Sequence, residues 1–273
     1  RGRRALGPAV AGTAVTAAIR AALLTADPRA KAMAARAVAR DWRLGRLAFR
    51  FDTAMPDRPA WPARPALLPP GRMPRRGRGQ SLKGRIALYH ALGHIEFVAI
   101  DLALDIAGRF GAEMGREFVG DFLSVAADEA MHFALLDRHL ASLGTRYGDL
   151  PAHEGLWDAA RATRHDVAAR LAIVPMVLEA RGLDVTPMTI ERMRMAGDPA
   201  GVRILERILR DEIRHVAIGT AHFVALCRSR SQAPENAWKM LLDQHFRGRV
   251  KPPFNDSARE AAGLSRNFYG ALA

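Results

Sequence analysis

Cysteine is almost missing from this chain of 273 residues, and what little there is excludes a good deal. Cys227 stands alone, so no intrachain disulfide can form and no metal cluster can be built on thiolates. A chain without disulfides suits a reducing compartment, and the cytoplasm is the expected location. Aromatic residues are also sparse, at 7%, which argues against an extended platform for stacking nucleic-acid bases. No run is long and apolar enough to span a bilayer. There is no phosphate-cradling glycine loop, hydrolase elbow or dinucleotide fingerprint, and Gly-Arg-Gly at 77–79 is too short to hold a nucleotide by itself. Runs of β-branched residues are scarce, while Ala, Leu and Arg dominate, and these are strong helix formers. The expected class is all-α.

Acidic charge is lacking in one part of the chain only. Residues 1–85 hold 19 Lys and Arg against 4 Asp and Glu, a net of +15, whereas residues 86–273 hold 22 against 24, a net of −2. A concentrated basic region can attract nucleic acid or anionic lipid, and arginine-rich composition alone would produce the same excess. The start, Arg-Gly-Arg-Arg before an Ala-rich run, imitates a targeting peptide. Arg20 interrupts that run and helical patterning continues beyond it, so the region reads as part of the folded protein.

The pattern predicts a helical N-terminal extension over 1–51, with helices at 8–25 and 28–50 broken at Asp27-Pro28. Residues 52–81 form a Pro/Arg-rich connector, with Pro56, Pro59, Pro62, Pro65, Pro69, Pro70 and Pro74 followed by Arg75-Arg76-Gly77-Arg78-Gly79. Trp61, Leu67 and Leu68 want burial, so this connector is expected to lie across the rest of the protein. Residues 82–230 read as four helices, at 82–110, 114–142, 156–180 and from 199 to about 227. Gly111 and Gly115 are expected in the first turn, Pro175 is expected to kink the third helix, and Gly182 to end it. Asp198-Pro199 is a good start for the fourth. A shorter helix at 234–246 and a tail complete residues 231–273.

Within these helices one pattern occurs twice. Glu96 is followed 33 residues later by Glu129, which opens Glu129-Ala-Met-His132; Glu179 is followed 33 residues later by Glu212, which opens Glu212-Ile-Arg-His215. Residues i and i+3 lie about 60° apart on a helix, so each Glu and His share a face. An offset of 33 leaves room for two helices and a tight connection. Four Glu and two His so arranged form the ligand set of a two-metal carboxylate site inside a four-helix bundle. Such donors suit iron first, with manganese or a mixed pair as alternatives. Glu96 and Glu179 sit in apolar surroundings, where an unpaired carboxylate is costly and metal ligation neutralises it. Asp128 and Asp211 each precede a motif Glu, placed to accept a hydrogen bond from a ligand His, and Arg214 is placed to pair with one of them. His94, about 200° around the helix from Glu96, cannot face the same ion. It belongs to the surroundings, with His90 one turn away.

The strings His94-Ile-Glu96, Asp128-Glu129-Ala-Met-His132-Phe133, Tyr147-Gly148-Asp149-Leu150-Pro151, Glu179-Ala-Arg-Gly-Leu-Asp184 and Asp211-Glu212-Ile-Arg-His215-Val216 resemble a bacterial family of ferritin-like proteins of unassigned function. The resemblance spans nearly the whole chain and implies an antiparallel ferritin-like bundle. A more distant likeness, in the ligand pattern alone, is to the di-iron tRNA hydroxylase that oxidises a prenylated adenosine. The second motif also looks like that of di-iron monooxygenases, whereas the first has Met131 where those enzymes place Arg. Three functions are therefore expected in order: a di-iron oxidoreductase acting with dioxygen or peroxide on a small apolar molecule or modified nucleoside; a ferroxidase or peroxide-detoxifying protein; and a metal-stabilised bundle whose basic N-terminal region binds RNA or a partner protein. A homodimer is compatible with each.

Overall fold

The computed structural model describes residues 12–73 and 81–272. The basic groups at 1–4 and 75–79, and the start of the first predicted helix, lie outside them. The described residues are mostly helical, with one two-residue parallel pairing of β1 (Thr13–Ala14) with β2 (Leu47–Ala48). The N-terminal helices are α1 (Val15–Leu23) and α2 (Pro28–Arg43). The side chain of Asp27 caps α2 at the Ala30 amide, and Pro28 occupies the first position, where a missing N–H costs nothing. The predicted helix over 28–50 stops early. Leu44 and Gly45 turn the chain so that Leu47 and Ala48 can pair with β1.

The centre is a hairpin of two long helices, α3 (Leu82–Met114) and α4 (Arg116–Ser142). Ser81 caps α3 at the Gly84 amide. Gly115, at φ +94°, makes the whole turn by itself; Gly111, expected in that turn, lies inside α3. The third predicted helix is in fact several pieces: α5 (Gly155–Ala162), α6 (Val167–Ile173), a π-helical turn at Val174–Glu179, and α7 (Ala180–Met195). Asp166 caps α6, and the chain runs on through Gly182 and Pro187 rather than ending at Gly182. α8 (Pro199–Ser229) begins where Asp198-Pro199 predicts, with the Asp198 side chain accepting from the Gly201 amide. α9 (Pro234–His245), α10 (Asp256–Ala261) and α11 (Arg266–Tyr269) follow. Together α3, α4, the α6–α7 segment and α8 form the bundle, with α2 laid along α4. Among the described residues, no helix is long and apolar enough to cross a membrane.

Buried ion pairs lock the outer parts to this bundle. Lys31 of α2 and Asp101 of α3 are both fully buried, 2.6 Å apart. Asp101 also accepts from the Trp61 indole at 2.7 Å, and Lys31 donates to the Ala60 carbonyl. One carboxylate thus fastens α2 and the connector to the same turn of α3. One turn later Asp105 receives the buried Arg170 of α6 at 2.6 Å and Arg109 at 2.7 Å. On α7, Asp184 takes a two-pronged contact from buried Arg259, at 2.8 and 2.7 Å, and the Asn255 amide. That contact ties the C-terminal residues down. Leu67 pairs with Ala152, so the connector is stitched at a second point.

Removing one member of a buried ion pair leaves the other desolvated and uncompensated, at a cost of about 3–5 kcal/mol. Lys31→Met is expected to lower unfolding stability by that amount in urea titration. The double variant Lys31→Met/Asp101→Leu should lose less than the single one.

Candidate metal centre

The six predicted ligand residues come from all four bundle segments. α3 supplies Glu96, α4 supplies Glu129 and His132, the π-helical turn ends on Glu179, and α8 supplies Glu212 and His215. Glu96, Glu129, His132, Glu212 and His215 are buried, while Glu179 is half-buried. The i, i+3 spacing does what helix geometry requires, turning each Glu and its His inward. The Nδ1 atom of His132 lies 3.2 Å from Glu96 and 3.4 Å from Glu129. The Nδ1 atom of His215 lies 2.9 Å from Glu129 and 3.7 Å from Glu212. The two imidazole rings are 5.8 Å apart, so Glu129 stands between them.

The outward nitrogens are held by a crossed pair of aspartates. His132 on α4 reaches Asp211 on α8 through Nε2 at 3.0 Å, and His215 on α8 reaches Asp128 on α4 through Nε2 at 3.3 Å. Each aspartate therefore serves the histidine of the other motif. Donation of Nε2–H to a carboxylate leaves the Nδ1 lone pair facing the centre, the tautomer that metal ligation needs. Arg214 pairs with Asp128 and also donates to Ser124 at 3.0 Å. Arg207 pairs with Asp211 at 2.6 Å. The sequence reading anticipated the two aspartates and Arg214 but missed Arg207 and Ser124. The i, i+4 step from Arg207 to Asp211 was the available signal.

Glu179 stands at the end of the π-helical turn. Pro175 lacks an amide hydrogen, and the turn takes one extra residue around it. That widened turn lets Glu179 approach from a segment broken by Pro175, and Gly219 of α8 makes room for it: a Cβ there would collide with the Pro175 ring. His94, by contrast, lies elsewhere. It bonds to the Tyr147 hydroxyl at 2.8 Å and to the His153 carbonyl at 3.1 Å, and burial holds its pKa at about 4. His90 receives the Gly148 amide at 2.9 Å, and His139 joins Asp198 and Tyr89 at the far end of α3 and α4.

The electrostatics are those of carboxylates short of counter-charge. Burial, then the charge of Glu129, raises Glu96 and Glu212 above the ordinary range. Burial and then Glu212 and Glu129 push Glu179 up to about 8. For Glu129 burial acts upward, but the imidazoles of His215 and His132 outweigh it and hold the group below the ordinary range. His132 and His215 are raised despite burial, by Asp211 and Glu129 respectively and by the remaining carboxylates around them. Glu129 Oε1 and His215 Nδ1, 2.9 Å apart, face one another without the geometry of a hydrogen bond, and both are buried without one. Two buried ligand-type atoms that lack a hydrogen bond in the protein fit a role toward a cation. Glu96, Glu129, His132 and Glu212 each present an atom within 4.8 Å of the others, and this group could hold a metal ion.

An all-α protein with a buried carboxylate–histidine cluster is thus defined. Residues 24–270 match the model of a family described as "Protein of unknown function (DUF455)", and the chain belongs to that family. It is 44% identical over 214 residues to an uncharacterized protein of Haemophilus influenzae, covering 76% of this chain and 74% of that protein. No solved structure matches it.

The raised pKa of Glu179 makes the metal-free protein pH-sensitive. The folded state holds that proton more tightly than the unfolded chain, so stability present below about pH 4.5 is lost as pH rises towards about 8. Glu179→Gln, which carries no charge at any pH, is expected to flatten the fall in thermal midpoint between pH 5 and 8 in chelator-treated protein. An unchanged pH profile in the variant would show that Glu179 ionises freely.

Proposed function

We propose that the protein is a dinuclear-metal oxidoreductase that uses dioxygen or peroxide. Iron is the ion that best suits four carboxylates and two imidazoles, with manganese or a mixed pair as alternatives. The observation that carries this reading is the crossed support of the two Glu-x-x-His motifs. Asp211 orients His132 and Asp128 orients His215, so both Nδ1 atoms converge on Glu129. Such reciprocal bonding is costly to build unless the two rings must be held as ligands. The hairpin of α3 and α4, followed by a crossover to α7 and α8, has the order of a ferritin-like bundle and supports the same reading.

The residues divide the work by position. His132 would hold one ion together with Glu96, and His215 the other together with Glu212, while Glu129 lies within reach of both. Two such ions would supply the electrons for reducing dioxygen or peroxide. Glu179, half-buried and at the end of the widened turn, would be a further carboxylate donor. Asp128 and Asp211, each neutralised by an arginine, fix the rings without adding net charge. A small apolar molecule or a modified nucleoside is the substrate class we propose.

Metal analysis tests this directly. Protein purified without chelator is expected to carry about two iron or manganese ions per chain, the stoichiometry of a dinuclear site. The Glu129→Ala/Glu212→Ala variant should lose them while keeping its helical circular dichroism. Oxygen uptake by the reduced protein, absent in the variant, would extend the result from binding to reactivity. Wild-type protein that takes up no metal even after anaerobic iron loading would overturn the proposal.

A further inference from the structure

A groove of about 800 Å³ runs between α2 and α4, outside the metal centre. Its lining includes Arg36, Arg40, Arg43 and Arg214, with Trp42 and Asp128. We propose that this groove binds a phosphate-bearing small molecule of nucleotide size. The inference goes beyond the metal-centre reading, since binding there requires no metal.

Charge is the first argument. Four guanidinium groups line one cavity whose only carboxylate, Asp128, is already engaged by Arg214 and His215. Arg40 is tethered to Asp41 at 3.2 Å. Among the described residues, Arg36 and Arg43 pair with no carboxylate. Arg29, Arg46, Arg50, Arg58 and Arg207 on the same protein each have one. Two guanidinium groups without a carboxylate partner, Arg36 and Arg43, thus share one concave site with Arg40 and Arg214. Arg36, Arg40 and Arg43 follow the i, i+4, i+7 spacing of a single helical face, and Arg214 meets them from α8. Planar guanidinium forks lining one cavity match the oxygens of a phosphate, to which they donate in pairs.

The shape selects the size of the ligand. A volume of about 800 Å³ lies within the range of small-molecule sites. The face of Trp42 is occupied by the Arg116 guanidinium, 4.4 Å from the ring centroid, so the indole acts as a wall and not as a stacking platform for a chain of bases. Met33 is 68% exposed at the mouth and offers an apolar contact to the organic part of the ligand. An adjoining hollow of about 350 Å³ shares Met33 and Arg36 and leads towards Arg138. The inner wall of the groove is the Arg214–Asp128 pair, and Asp128 bonds to His215. A bound phosphate would therefore lie one side chain away from a ligand candidate of the metal centre.

Isothermal titration of the full chain at low salt, with adenosine monophosphate and separately with inorganic phosphate, tests the proposal. Adenosine monophosphate is expected to bind one to one, and inorganic phosphate to bind more weakly and compete with it. Arg36→Ala/Arg43→Ala should weaken both by about tenfold or more, because hydrogen bonds to charged groups are lost. Arg203→Ala, an exposed arginine on α8 away from the groove, should leave them unchanged. Arg36 and Arg43, both exposed, pair with no carboxylate among the described residues, so the double variant should fold, and Arg36→Lys/Arg43→Lys would recover part of the binding. Failure of both probes to bind, or binding indifferent to the double variant, would overturn the proposal. So would binding confined to single-stranded RNA with a steep salt dependence, which would assign the surface to a polyanion. None of these outcomes depends on metal content, so the groove and the metal centre stand or fall separately.

Discussion

Carboxylates drawn into the interior of a helical bundle, Glu96, Glu129 and Glu212 with the half-buried Glu179 beside them, are the constraint on which the rest of this protein turns. A carboxylate taken out of water must be paired, protonated or bound to a cation. Glu96, Glu179 and Glu212 show the strain of that choice in their raised pKa values, and Glu129 escapes it only by lying between two imidazoles. The imidazoles in turn are held by Asp128 and Asp211, and these by Arg214 and Arg207 at the protein surface. Charge is thus passed outwards in alternating sign from the centre to solvent. Each layer fixes the one inside it.

α3 lets the same bundle carry a second set of obligations. One face presents Glu96 to the centre, and a turn or two further on Asp101 and Asp105 take Lys31, Trp61, Arg109 and Arg170. The N-terminal helices, the connector and α6 are therefore attached to the helix that bears a site residue. Fixing α2 in this way also places it along α4, and the arginine-lined groove lies between the two helices. Three of the basic residues of the first third, Arg36, Arg40 and Arg43, line a concave surface beside the Asp128 that orients His215.

Much of the centre was legible in the sequence because helix geometry is a local property. An i, i+3 pair must share a face wherever it is helical, so the two Glu-x-x-His motifs announced their direction before any packing was known. The same holds for the caps at Asp27 and Asp198, where a short acceptor beside a proline satisfies free amides through nearest neighbours. Where the reading went astray, the deciding contact was distant in the chain. Gly182 was expected to end a helix that in fact continues, since Asp184 beyond it is pinned by Arg259 and Asn255. The helix expected over 28–50 ends at Arg43 because Leu47 and Ala48 find partners at the N-terminus.

What the sequence determined by itself, then, was the all-α class, the residue types at the centre and the faces from which they project. Only the tertiary structure decided that the aspartates cross, each serving the other motif's histidine. It alone brought Glu179 in on a π-helical turn allowed by Gly219, and drew Arg36, Arg40, Arg43 and Arg214 around one cavity. The physical reason is range. Propensity, capping and helical periodicity act within a few residues, whereas burial, charge compensation and close backbone approach are settled between segments that meet only when the chain has folded.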